Sequence, residues 1–143
     1  MILLFISRKS ENALVDEFAE LIRNQLNVKL FSPSTLKDIM EFLLDYSVSN
    51  PITVVIDEFQ DIARANKGFY SDLQNLWDQY KAKSQMHLVA CGSIYNLMNK
   101  LFKEQSEPLL NRDDHYCHLM PLAPSYIKDI FRLTVLMDEI LLL

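Results

Sequence analysis

ITVVIDEFQDI, residues 52–62, decides how this chain reads. From Ile52 to Ile56 the residues are continuous and largely β-branched, as in a strand covered on both faces. The run then stops on two adjacent carboxylates, Asp57 and Glu58. Neighbouring acids are costly to bury unless a cation compensates them. In an open α/β sheet, ligands gather at the carboxyl ends of the strands. An aspartate there is placed to hold magnesium, directly or through water, and the glutamate after it to orient or deprotonate an attacking water. The plainer alternative is a strand that has ended, followed by two solvated acids.

Working outward, residues 2–6 read as a short strand. Leu14, Phe18, Leu21, Ile22 and Leu26 follow at helical spacing. Ser32 and Pro33 predict a helix start, with Ser32 as cap and Pro33 in the first turn. Leu36, Ile39, Met40, Leu43 and Leu44 then form one apolar stripe, broken by SVSNP at 47–51. Beyond the acids, Phe69, Leu73, Leu76, Trp77 and Tyr80 make another stripe, and residues 86–90 another strand. Ile94, Leu97, Met98, Leu101 and Phe102 share a helix face. Residues 103–114 are a polar connection, 115–120 a weak strand, and Pro124 opens a last helix through Phe131. Strands alternating with helices imply an α/β fold: a mostly parallel sheet with helices on both faces. The tail, 132–143, ends in EILLL. Either it packs back on the domain or the chain stops before its natural partner begins.

The 143 residues suffice for one domain with a core, and 50% of them are hydrophobic, which excludes disorder. A net charge of −5, with both signs mixed along the chain, does not indicate a nucleic-acid-coating or anionic-membrane surface. Cys91 and Cys117 sit in apolar stretches and read as free, buried thiols of a reducing compartment. The opening MILLFI lacks the preceding basic segment of a signal peptide. No run approaches the ~18 apolar residues of a membrane helix. The expectation is a soluble, cytoplasmic protein. Glycine is scarce: Gly68 and Gly92 are the chain's two, where an average domain has roughly 7%.

Two further positions bear on the acidic strand end. LVACGSIYNLM, residues 88–98, puts Gly92 and Ser93 at another strand-to-helix turn. Ser93 either contacts a γ-phosphate or attacking water, or caps the next helix. Arg112 lies in a loop, where an arginine either reaches a phosphate and stabilises transition-state charge, or is simply solvated.

Taken together, ITVVIDEFQDI, LQNLWDQY (73–80), LVACGSIYNLM and PLLNRDD (108–114) with HLMPLAPSYIKDIF (118–131) resemble the archaeal-type ATPase family, a branch of the P-loop AAA+ ATPases. The resemblance covers roughly residues 1–131 and implies a partial AAA+-type ATPase domain, with 132–143 as a tail. It implies ATP binding and hydrolysis with magnesium. Asp57 would be the magnesium ligand and Glu58 the catalytic acid of the Walker B motif. Ser93 would occupy the sensor-1 turn on the nucleotide, and Arg112 would be a catalytic arginine. Gln60 matches the glutamine that commonly follows the acid–aromatic pair. Asn111 stands where the family usually has glycine before the arginine.

The resemblance also places the family's first strand, phosphate loop and first helix upstream of Met1. Backbone N–H groups of a GxxxxGK[ST] turn wrap the phosphates, and Gly68 and Gly92 cannot supply two glycines five positions apart. Lys9-Ser10, between a strand and a helix, is read as a helix-start turn in preference to a degenerate phosphate loop, since other residues do not readily take glycine's positive φ. The chain therefore reads as an N-terminally truncated P-loop core: a truncated product, a cloned fragment or a degenerate paralogue, with weak nucleotide binding and little or no ATP hydrolysis alone. The alternative is a non-catalytic protein-interaction module that keeps the fold. An unfilled slot in the sheet invites a homo-oligomer or a partner chain at the exposed edge.

HYCH, residues 115–118, brings His115, Cys117 and His118 close in sequence. In a strand Cys117 would share a face with His115 and not with His118, and the spacing fits no zinc pattern. No Ser-His-Asp or Cys-His nucleophile is assignable.

Overall fold

The structure, a computed structural model, describes residues 1–121, 123 and 125–127. In chain order the elements are β1 (Ile2–Phe5), α1 (Glu11–Leu26), α2 (Leu36–Ser49), β2 (Ile52–Asp57), a 3-10 turn (Phe59–Asp61), α3 (Ile62–Ala65), α4 (Phe69–Tyr80), β3 (Met86–Ala90) and α5 (Tyr95–Lys103). The three strands form one sheet in the order β1-β2-β3, and both pairings are parallel. The helix expected from Pro124 to Phe131 and the tail at 132–143 lie outside the described residues, apart from a helical turn at 125–127.

Local chemistry sets the helix ends. Ser10 caps α1 by accepting the Ala13 N–H on its Oγ, and Asn27 ends the helix in the left-handed region at φ 53°. α2 starts three residues later than Ser32 and Pro33 suggest. Thr35 and Asp38 form a reciprocal capping box, with Thr35 accepting the Asp38 N–H and Asp38 accepting the Thr35 N–H. Satisfying two otherwise unpaired N–H groups outweighs proline's preference for the first turn. Glu11 ties the two helices together, since its Oε1 accepts both the Leu36 N–H and the Asn66 amide.

Register decides which side chains enter the core. Ile2 pairs with Val54 and Leu4 with Ile56, which put these four on one face, and all four are buried. Phe18 of α1, Leu36, Ile39 and Met40 of α2, Ile62 of α3 and Phe69 of α4 meet Leu4, Ile6 and Ile56 there. The opposite face carries Leu3 and Phe5, 49% and 51% exposed, beside exposed His87 and partly buried Val55 and Val89. Helices on both faces is therefore more than the described residues contain: α1 to α4 pack on one face, and no described helix buries the other.

The strand expected at 115–120 does not form. These residues are irregular and exposed, with Leu119 85% and Met120 71% accessible. β3 is the last strand of the sheet among the described residues, and residues 115–120 do not pair with its open edge.

Candidate functional site

Parallel strands bring their carboxyl ends to one rim. Phe5 is level with Asp57, and Ile56 with Ala90. The ladder continues past the strands, with Ile6 N–H donating to Asp57 O (3.0 Å) and Cys91 N–H to Ile56 O (2.8 Å). After Asp57 the chain turns across the top of β3, and Phe59 N–H donates to Cys91 O at 2.9 Å. This turn requires Glu58 to adopt φ 54°, the left-handed region. For a non-glycine residue that costs of order 1–3 kcal/mol and persists only where the surroundings over-determine it. Here they do. Asp57 Oδ1 accepts the Glu58 N–H at 2.9 Å. Phe59 is fully buried against Tyr70 and Phe102, and the Tyr70 hydroxyl donates to its carbonyl at 2.9 Å.

The turn brings Glu58 to Ser93, 35 residues away in sequence. Ser93 Oγ donates to Glu58 Oε2 at 2.9 Å, and Gln60 Nε2 donates to the same oxygen. These two bonds, with a smaller contribution from the Ser93 backbone N–H, favour the charged form and hold the Glu58 carboxyl below the usual carboxylate range, the Gln60 bond contributing most, against an opposing effect of burial. Ser93 is not the cap of α5. That position belongs to Ile94, which offers no side-chain bond to the helix. Asp57, Glu58 and Ser93 thus share one rim, as the sequence suggests.

Arg112 makes other contacts. Its guanidinium pairs two-pronged with Asp78 of α4, Nε to Oδ1 at 3.1 Å and Nη2 to Oδ2 at 2.8 Å, while Nη1 donates to the carbonyls of Pro108 and Leu110. The Asp78 carboxylate raises the arginine's pKa and is itself held low. Asn111 sits at φ 56°, the conformation glycine takes most readily and asparagine tolerates. Lys9 is also engaged, with Glu17 at 2.7 Å, and Ser10 is a helix cap.

Among the described residues no group of three or more His, Cys, Asp or Glu side chains is placed to hold a metal ion. His118 stacks on Tyr95 with ring centroids 4.0 Å apart. Both cysteines are free, but only Cys91 is partly covered, its thiol pushed up by burial and by Asp57; Cys117 is exposed, contrary to the expectation of two buried thiols. Asp57 uses Oδ1 for the Glu58 N–H, and Oδ2 takes no part in that bond. One or two carboxylate oxygens completed by phosphate and water is how magnesium is ordinarily bound. The donor set at the rim fits that pattern and does not fit an all-protein metal cage.

The sequence offers Gln60 only as a match to the resembled family's glutamine and Gly92 only as a turn residue, and the contact between them was not legible. Gln60 is buried at 7% exposure, and Gly92 is what leaves it room. A Cβ on Gly92 would come within 2.2 Å of Gln60 Oε1 and 2.6 Å of Met98 Sδ. The available signal was the spacing alone: a glutamine two residues past the acid, and a glycine just before the serine.

No protein-family model matches the chain, and no solved structure matches it. It is similar to the uncharacterized protein MJ0424 of Methanocaldococcus jannaschii, with 33% identity over 58 residues. That match covers 41% of this chain and 56% of the relative. No helix among the described residues is long and apolar enough to cross a membrane.

Proposed function

We propose that the rim formed by Asp57, Glu58 and Ser93 is the magnesium- and water-handling half of an ATP-hydrolysing site of the AAA+ type, within a partial domain of the archaeal-type ATPase family. Asp57 holds magnesium, directly or through water, and Glu58 orients the attacking water. Ser93 fixes Glu58 from the neighbouring strand end, next to the γ-phosphate. The observation that carries the reading is the hydrogen bond between Ser93 Oγ and Glu58 Oε2, which joins two strand-end motifs that the sequence places 35 residues apart.

The phosphates need a further cradle. The 143 residues contain no GxxxxGK[ST] turn, so ATP binding by this chain alone is weak and its turnover slow or absent. Arg112 joins the chemistry only on leaving Asp78. A second reading, a non-catalytic interaction module on the same scaffold, is favoured by that engagement of Arg112 and by the half-exposed Leu3 and Phe5. On that reading a second copy or a partner chain pairs at the sheet edge.

Titrating ATP into the chain with magnesium and with a chelator separates the two. The hydrolase reading expects weak binding that magnesium strengthens and Asp57→Asn removes. Binding indifferent to both, or none at millimolar ATP, favours the interaction module.

A further inference from the structure

Gln60 is a buried polar side chain at the rim of the sheet. Its Nε2 donates to Glu58 Oε2, while its Oε1 is buried without a hydrogen-bond partner. The amide cannot be reversed, since its carbonyl would then face a carboxylate that only accepts. Burying an unpaired carbonyl is unfavourable, and a methionine would fill the same space without one. The space itself is kept open by a glycine, Gly92, whose positive-φ freedom is not used. So glutamine is present despite an unpaired carbonyl, and what its amide does here is grip Glu58.

We infer that Gln60 is a positioning residue for Glu58, seated by Gly92 and acting together with Ser93. Both donors converge on Oε2, and neither occupies Oε1. Fixing one carboxylate oxygen aims the other, and removes rotamer freedom that a flexible glutamate would otherwise lose on meeting its ligand. In the site proposed above, on which this role rests, Oε1 is the atom left to accept a proton from the attacking water.

The test is the side-chain conformation of Glu58, read by NMR from its χ1 and χ2 couplings and methylene relaxation in the full 143-residue chain without nucleotide. The wild type is expected to show one rotamer. Gln60→Met combined with Ser93→Ala is expected to show averaged couplings at Glu58, with amide resonances of α1 and α2 unmoved. Gly92→Ala is expected to produce averaging without removing either donor. A role confined to packing predicts no change in Glu58 with Gln60→Met and Ser93→Ala, and that result overturns the inference. If the double variant fails to fold, the wild type still decides: averaged Glu58 couplings, or Gln60 amide protons exchanging as fast as exposed ones, overturn it, while a single rotamer with slowed amide exchange supports it. A parallel arm with magnesium and ATP keeps the two claims separate. No binding to a chain whose Glu58 is fixed refutes the hydrolase reading and leaves the grip standing; an averaged Glu58 refutes the grip whatever ATP does.

Discussion

Gly92→Ala adds one methyl group to one of the chain's two glycines, at a position with no room for it. The new Cβ would lie 2.2 Å from Gln60 Oε1, where ordinary contact begins at 3.4 Å, so about 1.2 Å must be found (3.4 − 2.2). Met98 also stands in the way at 2.6 Å and is itself buried. Overpacking of this kind costs roughly 1–3 kcal/mol. Alanine's stiffening of the unfolded chain returns about 0.4–1 kcal/mol. The expected net destabilisation is up to about 2.6 kcal/mol. In a urea titration this lowers the midpoint by up to roughly 1.3 M, for a slope of about 2 kcal/mol/M. Gly68 supplies the control. Its Cβ would meet only Asn66 Oδ1, at 3.4 Å, with φ at −86°. Gly68→Ala should change stability by no more than about 0.5 kcal/mol. Equal midpoints for the two variants, or a more stable Gly92→Ala, would refute the claim that Gly92 is there to admit Gln60.

Neighbouring leucines of β1 should behave oppositely in the same titration: Leu4→Ala, in the core, costs about 2–5 kcal/mol, whereas Leu3→Ala, half exposed, costs about 1 kcal/mol or less. A large cost at Leu3 would mean that the second face of the sheet is covered. Asp38 is held below its ordinary value, chiefly by the Ser34 N–H with help from Thr35. A depressed carboxyl stabilises the fold above its unfolded-state value near 3.8 and loses that contribution as pH falls through its folded value. Wild type should therefore exceed Asp38→Asn in thermal midpoint at pH ~6, with the gap closing below pH ~4; a gap that stays constant down to pH ~2.5 contradicts the capping box. Arg112→Ala and Asp78→Ala should each loosen the 108–112 loop, and a double-mutant cycle on urea stability should give a coupling of about 0.2–1 kcal/mol, reduced because Asp78 is half exposed. Zero coupling would free Arg112 for another role.

The parts of the fold governed by local periodicity could be read from the sequence. The 52–57 strand, the stripes of α1, α2 and α4, and the strand at 86–90 rest on apolar spacing that the structure keeps, whereas of the α5 stripe Met98 and Leu101 are buried and Ile94 and Leu97 are exposed. The errors fall where local signals compete or where a segment depends on a distant partner. Ser32 and Pro33 form a reasonable helix start, but Thr35 and Asp38 satisfy two N–H groups at once. Residues 115–120 have the composition of a weak strand, yet a strand exists only through its neighbour, and these residues do not pair with the open edge of β3. The coverage of the second sheet face was invisible for the same reason: Leu3 and Phe5 read as apolar whether or not a helix meets them.

At the site, the meeting of Glu58 with Ser93 was legible as two strand ends in a parallel sheet. The left-handed Glu58 and the buried carbonyl of Gln60 were not, since neither is encoded in residue type or spacing. The glycine shortage is a property of the sequence itself. What Gly92 does depends on a side chain 32 positions earlier (92 − 60).

The most direct test is manganese in place of magnesium, added with ATP and followed by paramagnetic broadening of the backbone amides. The account predicts broadening centred on Asp57, Glu58, Gly92 and Ser93, requiring ATP and the metal together and disappearing in Asp57→Asn. Broadening that avoids this rim, or that persists unchanged in Asp57→Asn, would contradict it.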